Sequence, residues 1–189
     1  MAIQNPKRLI SIDEYHRMAA DGLFSEDDRV ELIEGEIVEM TPIGDRHALG
    51  VLRLNLFFHR GFLNRGLISP QNPLRFGGWS EPQPDVAVLA WRDDLYAYAA
   101  PASQDVLLLV EVADSTIGYD RKIKMPLYAK HGIGESWILN LAEDVLEIYR
   151  QPSTTGYRKI QRLRRGDSIA MEAFPDVVFS VSDLLGPAS

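Results

Sequence analysis

DVLLLVEVAD, residues 105–114, is apolar at every position from Val106 to Val112 except Glu111. A strand with one solvated face alternates apolar and polar residues, whereas a strand covered on both faces reads as a nearly continuous apolar run. This segment is therefore the centre of a sheet with helices on both sides. A second run, PDVAVLAW (84–91), has the same character and opens on Asp85 after Pro84. The segments ESWILNL (135–141), DVLEIYR (144–150) and YRKIQRL (157–163) add antiparallel strands, and the residues between Phe174 and Leu185 add a short strand and a final helical turn. Leu67 to Phe76 reads as two short strands broken by Pro70 and Pro73, because proline cannot donate to a ladder.

Helices and turns fill the rest. In SIDEYHRMAA (11–20), Ser11 and Glu14 have the spacing of a capping box, which predicts a helix from Ile12 to Ala20. RVELIEGEIVEM (29–40) reads as a β-hairpin turning at Glu34-Gly35. From Asp45 to Asn64 the spacing predicts a long helix whose apolar stripe is Leu49, Leu52, Leu56 and Leu63, widened by Val51, Leu54, Phe58 and Phe62. A short helix is expected from Ile123 to His131, starting near Ile123 so that Pro126 needs no donor partner. The expected class is α/β to α+β, a mixed sheet flanked by helices, in one domain spanning residues 1–189.

Composition limits the function. The chain has 189 residues, 46% apolar and 25% charged, which is the balance of a globular protein. There is no cysteine, so disulfides and zinc–thiolate sites are excluded. No apolar run approaches the roughly 20 residues of a membrane span. The start, MAIQNPKRLI, lacks the apolar stretch of about 7–15 residues found in a leader, so the expected location is the cytoplasm. A net charge of −7 is not that of a protein coating nucleic acid by charge alone. Arg150, Arg158, Lys159, Arg162, Arg164 and Arg165 cluster late in the chain, and the plain reading of them is a solvated strand face.

Chemistry enters with Glu111. A carboxylate inside a buried strand is costly unless it is paired or holds a metal. Asp85 begins the neighbouring strand, so the two side chains can converge. Two adjacent carboxylates repel unless a proton or cation lies between them, and a hard cation such as Mg²⁺ suits an all-oxygen site. Each residue also has a plainer reading: Asp85 as a cap beside a turn, Glu111 as half of a buried ion pair, Lys122 and Lys124 as exposed helix residues. His47, at a helix start, reads first as structural and otherwise as an acid or a phosphate contact.

The order ELIEGE (31–36), His47 opening a long helix, QPDVAVL (83–89), LLVEVADST (108–116), LYAKHGI (127–133) and ESWILN (135–140) resembles a restriction-endonuclease-like family, long carried as a domain of unknown function, within the PD-(D/E)xK nuclease superfamily. The resemblance covers roughly 29–150, the expected core. It implies a mixed four-stranded sheet between helices, with a metal-dependent phosphodiesterase site at one edge. Position by position, it places the family's aspartate on Asp85, its strand glutamate on Glu111 and its early glutamate on Glu31, and it matches Gln83 and His47 without assigning them roles. Where the superfamily pattern has lysine, two residues after Glu111, this chain has Ala113. The resemblance implies that the lysine has moved to the following helix, with Asp120 and Lys124 in a D-x-x-x-K arrangement and Lys122 as the alternative.

The expected chemistry is phosphodiester hydrolysis. Asp85, Glu111 and the Val112 carbonyl would hold Mg²⁺, with Mn²⁺ as a substitute. Glu31 would hold a second metal or position water, and Lys124 would stabilise charge on the transition state. The expected partner is nucleic acid, DNA in particular, and the expected assembly a homodimer. Two other classes stay open: a catalytically weak relative that binds nucleic acid or protein, favoured by Ala113 and the acidic balance, and, more distantly, a metal hydrolase of another substrate.

Overall fold

A computed structural model describes residues 7–25 and 27–188. The leader reading of the first ten residues falls largely on positions 1–6, which lie outside the described residues. Helix α1 (Ile12–Ala20) starts at the capping box: Ser11 Oγ accepts from the Glu14 N–H, and the Glu14 carboxylate accepts from the Ser11 N–H. Strands β1 (Val30–Ile33) and β2 (Glu36–Glu39) form the expected hairpin. Glu34 and Gly35 have φ of 48° and 82°, the pair of left-handed residues that a two-residue turn of matching twist requires. The hairpin joins the body through a bridge between Leu32 and Glu81 and a 2.7 Å bond from the Gly35 N–H to the Trp79 carbonyl.

The main sheet has six strands in the order β3-β4-β5-β6-β7-β8: β3 (Gly66–Pro70), β4 (Val86–Ala90), β5 (Val106–Ala113), β6 (Glu135–Asn140), β7 (Val145–Ser153) and β8 (Gly156–Leu163). Every neighbouring pair is antiparallel except β5 and β6. The four-stranded core implied by the resemblance is thus extended by the added antiparallel strands, and the sheet reaches Leu163. β9 (Ser168–Ile169) and β10 (Phe179–Ser180) form a separate pair, followed by the short helix Val181–Leu185. Of the two strands expected between Leu67 and Phe76, one forms. β3 ends at Pro70, Gln71 turns the chain at φ 51°, and Phe76 makes only an isolated bridge with Ser80.

Apolar side chains pack on both faces of the sheet. On one face lies α2 (Asp45–Gly61), and here the expected stripe is the wrong one. Val51, Leu54 and Phe58 are buried, with Phe62 just beyond, while Leu49, Leu52, Leu56 and Leu63 are 51%, 63%, 44% and 73% exposed. Both sets recur with helical spacing, so periodicity cannot choose between them. Two features choose the inner face. Phe58 and Phe62 join Phe174, Phe179 and Trp137 in an aromatic cluster. Gly50 lets the helix lie against β5, where a Cβ would stand 2.8 Å from the Val112 side chain.

On the other face lies the β5–β6 crossover helix, α3 (117–130). It begins six residues before the expected start. Its segments are Ile117–Tyr119, a π-helical turn Asp120–Lys124, and Met125–Lys130. The wide turn closes with a bond from the Met125 N–H to the Asp120 carbonyl, five residues back. Pro126 has no N–H for the carbonyl four residues before it and its ring crowds that carbonyl, so the ladder widens just ahead of it. Among the described residues no helix is long and apolar enough to cross a membrane.

Unfolding in urea tests the choice of face. Phe58→Ala should cost about 3–5 kcal/mol, the range for removing a buried aromatic. Leu52→Ala should cost less than about 0.5 kcal/mol, as expected for an exposed side chain. A larger loss at Leu52 than at Phe58 would reverse the packing described here.

Candidate active site

The ends of β4 and β5, the start of α2, the hairpin and α3 surround one cavity of about 470 Å³. Val86 pairs with Val110 in the antiparallel β4–β5 ladder, so Asp85 stands opposite Glu111 and their side chains leave the same face. Both line the cavity, as do Glu31, Val112, Asp120 and Lys124. β4 and β5 are the second and third strands in order, so the site lies at strand ends and not along an edge strand.

Asp85 is held at one oxygen. Its Oδ2 accepts from the Val112 N–H at 2.8 Å and lies 2.9 Å from His47 Nε2. Among the described residues its Oδ1 accepts no hydrogen bond. His47 sits in the first turn of α2, which brings it across to Asp85; its Nδ1 is buried without a partner among the described residues. Glu111 is 2% exposed, and its two oxygens have different partners. Oε1 accepts from the Tyr128 hydroxyl and Oε2 lies 3.3 Å from Lys124 Nζ.

Lys124 is the buried end of this network. Besides Glu111, its ammonium lies 3.4 Å from Glu31 Oε2 and donates to the Gln83 carbonyl at 3.3 Å. Glu31 also accepts from the Gln83 N–H at 3.0 Å and from the Tyr119 hydroxyl at 3.1 Å. Asp120, on the π-turn, accepts from Thr116 Oγ1 at 2.7 Å. Lys122 is exposed and lines a different hollow beside Glu34 and Lys130. Of the two candidate lysines, the structure therefore brings Lys124 to Glu111 and leaves Lys122 away from it.

The charges in this cavity are unbalanced. Asp85, Glu111, Glu31 and Asp120 surround one lysine. Burial pushes the Glu111 carboxyl well above the usual carboxylate range, with Asp85 and Asp120 adding to the rise and Lys124 opposing it. Burial likewise lifts Asp120 to about 6. Burial alone would lower Lys124, but Glu111, Glu31, Asp120 and Asp85 together raise it above free lysine. All three shifts favour keeping a proton, the two acids chiefly through burial and the lysine through the carboxylates around it. Such a site favours an added cation. Its donors are hard oxygens, the type that Mg²⁺ and Mn²⁺ prefer. Among the described residues no three His, Asp or Glu side chains are placed to grip an ion together. An ion here would take Asp85, Glu111 and further oxygens from backbone or water, a common way of holding Mg²⁺.

Sequence reasoning missed Tyr128, Tyr119 and Thr116 as partners of the acidic groups. Tyr128 lies inside LYAKHGI, where a tyrosine between apolar residues reads as core, and its ring is indeed fully buried. The late basic cluster is only partly solvated. Arg150 is half-buried and bonds Glu135 at 2.6 Å, while Arg162 and Arg165 pair with Glu143 and Asp144.

A mixed sheet between helices, with an aspartate and a glutamate opposed at the ends of neighbouring strands, defines the restriction-endonuclease-like class of fold. The family described as "Putative restriction endonuclease" (Uma2) matches residues 12–182, and the chain belongs to it. No curated protein matches. Among solved structures, the chain is similar to one described as a putative nuclease belonging to DUF820 from Anabaena variabilis. The TM-score is 0.74 and the identity 17%, over 93% of this chain and 97% of that one, a likeness of fold.

The lifted value of Asp120 gives a pH test. An acid with a raised folded value keeps its proton longer in the folded state, so the stability it contributes is full near pH 4 and falls as pH rises through about 6. In metal-free buffer, Asp120→Asn should remove that fall. Between pH 4 and 7 the variant should gain on the wild type by on the order of 2 kcal/mol in unfolding free energy. A difference that does not change with pH would mean that Asp120 titrates like an exposed carboxylate.

Proposed function

We propose that this protein is a metal-dependent endonuclease that hydrolyses phosphodiester bonds in DNA. The observation that supports it most is the pair Asp85 and Glu111, opposed across a ladder and open to one cavity, with the Lys124 ammonium beside Glu111. Asp85 and Glu111 would hold Mg²⁺, or Mn²⁺ in its place, with the Val112 carbonyl as a further ligand. When bound, the metal would lower the pKa of a water and reduce the negative charge of the phosphate.

The chain's own groups do the rest. The Val112 N–H and His47 fix Asp85 through Oδ2, which leaves Oδ1 without a hydrogen bond among the described residues. Lys124 brings positive charge to where charge builds up on the phosphate oxygens in the transition state. Glu31 holds Lys124 and can orient water. With His47 held on Asp85, the first-turn N–H groups of α2 can meet a phosphate oxygen. We extend the proposal to a homodimer, which would place two such sites on opposite strands, and to the cytoplasm, where DNA substrate is at hand. One observation favours a different reading, a binding module without turnover: three protein acceptors surround the Lys124 ammonium, which has three donors.

Cleavage assays on single- and double-stranded DNA and RNA, with Mg²⁺, Mn²⁺ or EDTA, separate the readings. Metal-dependent cleavage of DNA is expected, with loss of activity in Asp85→Asn and Glu111→Gln. Lys124→Ala should lose roughly 10²–10³-fold, the scale of one transition-state electrostatic contact, and Lys122→Ala should keep full activity. Binding of DNA without cleavage under any metal would instead support the binding module. The metal site has its own test. Mg²⁺ should raise the melting temperature of the wild type by mass action and should not raise that of Asp85→Asn. An equal rise in both would place metal binding elsewhere.

A further inference from the structure

We propose that Tyr119 and Tyr128 are positioning residues that fix the Lys124 ammonium, each by holding the far oxygen of one of the two glutamates it bridges. The inference rests on the nuclease reading for its consequence in catalysis, but its geometry is independent of that reading. The five groups form a bracket. The Tyr119 hydroxyl donates to Glu31 Oε1 at 3.1 Å, and Lys124 Nζ lies 3.4 Å from Glu31 Oε2. On the other side, Lys124 Nζ lies 3.3 Å from Glu111 Oε2, and the Tyr128 hydroxyl donates to Glu111 Oε1. A carboxylate held at one oxygen can swing about its last torsion, whereas one held at both cannot. Lysine is a flexible chain with a compact charge, so its position is set by its acceptors.

The backbone of α3 is shaped for this bracket. Lys124 and Tyr128 are four residues apart, which aligns them on one helix face. Tyr119 and Lys124 are five apart, and on a regular α-helix they would point about 140° away from each other. The π-turn Asp120–Lys124 removes that mismatch, since its extra residue brings positions five apart close to one line. Pro126, which widens the ladder at this place, therefore sets the register that lets all three side chains face the two glutamates. Tyr128 cannot drift. Its ring is fully buried and packs edge-on to Phe76, which stacks on His131. Tyr119 enters from the cavity side and is half-buried. Among the described residues neither hydroxyl bonds Asp85, and each bonds a glutamate, so their role runs through Glu31 and Glu111.

A direct measurement is hydrogen exchange of the lysine ammonium by NMR on protein labelled with ¹⁵N-lysine, in metal-free buffer. Lys124 is the one buried lysine among the described residues. It should give a single slowly exchanging ammonium signal, assigned by its absence in Lys124→Arg. Tyr119→Phe and Tyr128→Phe, which remove only a hydroxyl, should each speed that exchange about tenfold, the scale of one net hydrogen bond. In cleavage assays the same variants should lower kcat by a similar factor and leave KM for DNA unchanged. Ile148→Val, in the core across the sheet, should lower the melting temperature without changing the exchange or kcat. An ammonium signal as protected in both tyrosine variants as in the wild type would overturn the proposal, as would an equal change in Ile148→Val. If Tyr128→Phe fails to unfold cooperatively, Tyr119→Phe decides by the same criterion. A wild type that cleaves nothing would remove the nuclease reading, and the exchange result would still decide the bracket.

Discussion

A single ammonium group, buried between the carboxylates of Glu31 and Glu111, is the interaction on which this site depends. Taking an ion out of water costs several kcal/mol even after the surroundings relax. The cost is met only if every donor and acceptor finds a partner, and here the partners come from distant parts of the chain. Glu111 is delivered by the central apolar strand β5, Glu31 by a hairpin outside that sheet, the Gln83 carbonyl by the loop before β4, and Lys124 by the crossover helix. The docking of the hairpin and the path of α3 are thus tied to one electrostatic requirement. The same requirement leaves the cavity short of positive charge, because its lining carries six carboxylates against Lys124 and Arg29. Burial raises Glu111 and Asp120, and the neighbouring carboxylates add to the rise.

Much of this architecture was legible in the sequence because it rests on local or uniform signals. The capping box at Ser11 and Glu14, the turn at Glu34-Gly35 and the apolar run of β5, interrupted only by Glu111, each carry their own cause. The acidic pair was legible for a related reason: a charge in a wholly apolar strand calls for a partner wherever the strand ends up. The plain and functional readings of Glu111 also turn out to be compatible, since it forms a buried ion pair with the very lysine placed by family resemblance.

What was not legible depends on tertiary choices. The two apolar stripes of α2 have equal helical period, and what separates them is an aromatic cluster with Phe174 and Phe179, more than a hundred residues downstream, and a glycine that allows close approach to β5. The early start of α3 was hidden because Pro126 reads as a helix boundary, whereas the structure absorbs it in a π-turn. Tyr119 and Tyr128 were hidden because a hydroxyl's role cannot be inferred until its acceptor is known. For Tyr119 that acceptor is 88 residues away along the chain.

That separation has a consequence for the order of events during synthesis. The hairpin with Glu31 leaves the ribosome first, Asp85 and Glu111 follow, and the ammonium that reconciles the two glutamates comes only with α3. Strand β6, which closes the parallel crossover over that helix, comes later still. A nascent chain that ends before residue 117 therefore carries the acids without the lysine or either tyrosine. Contacts of such long range also have the highest closure entropy and form late in folding. Assembly of the acidic cavity and its lysine is thus gated by completion of the fold.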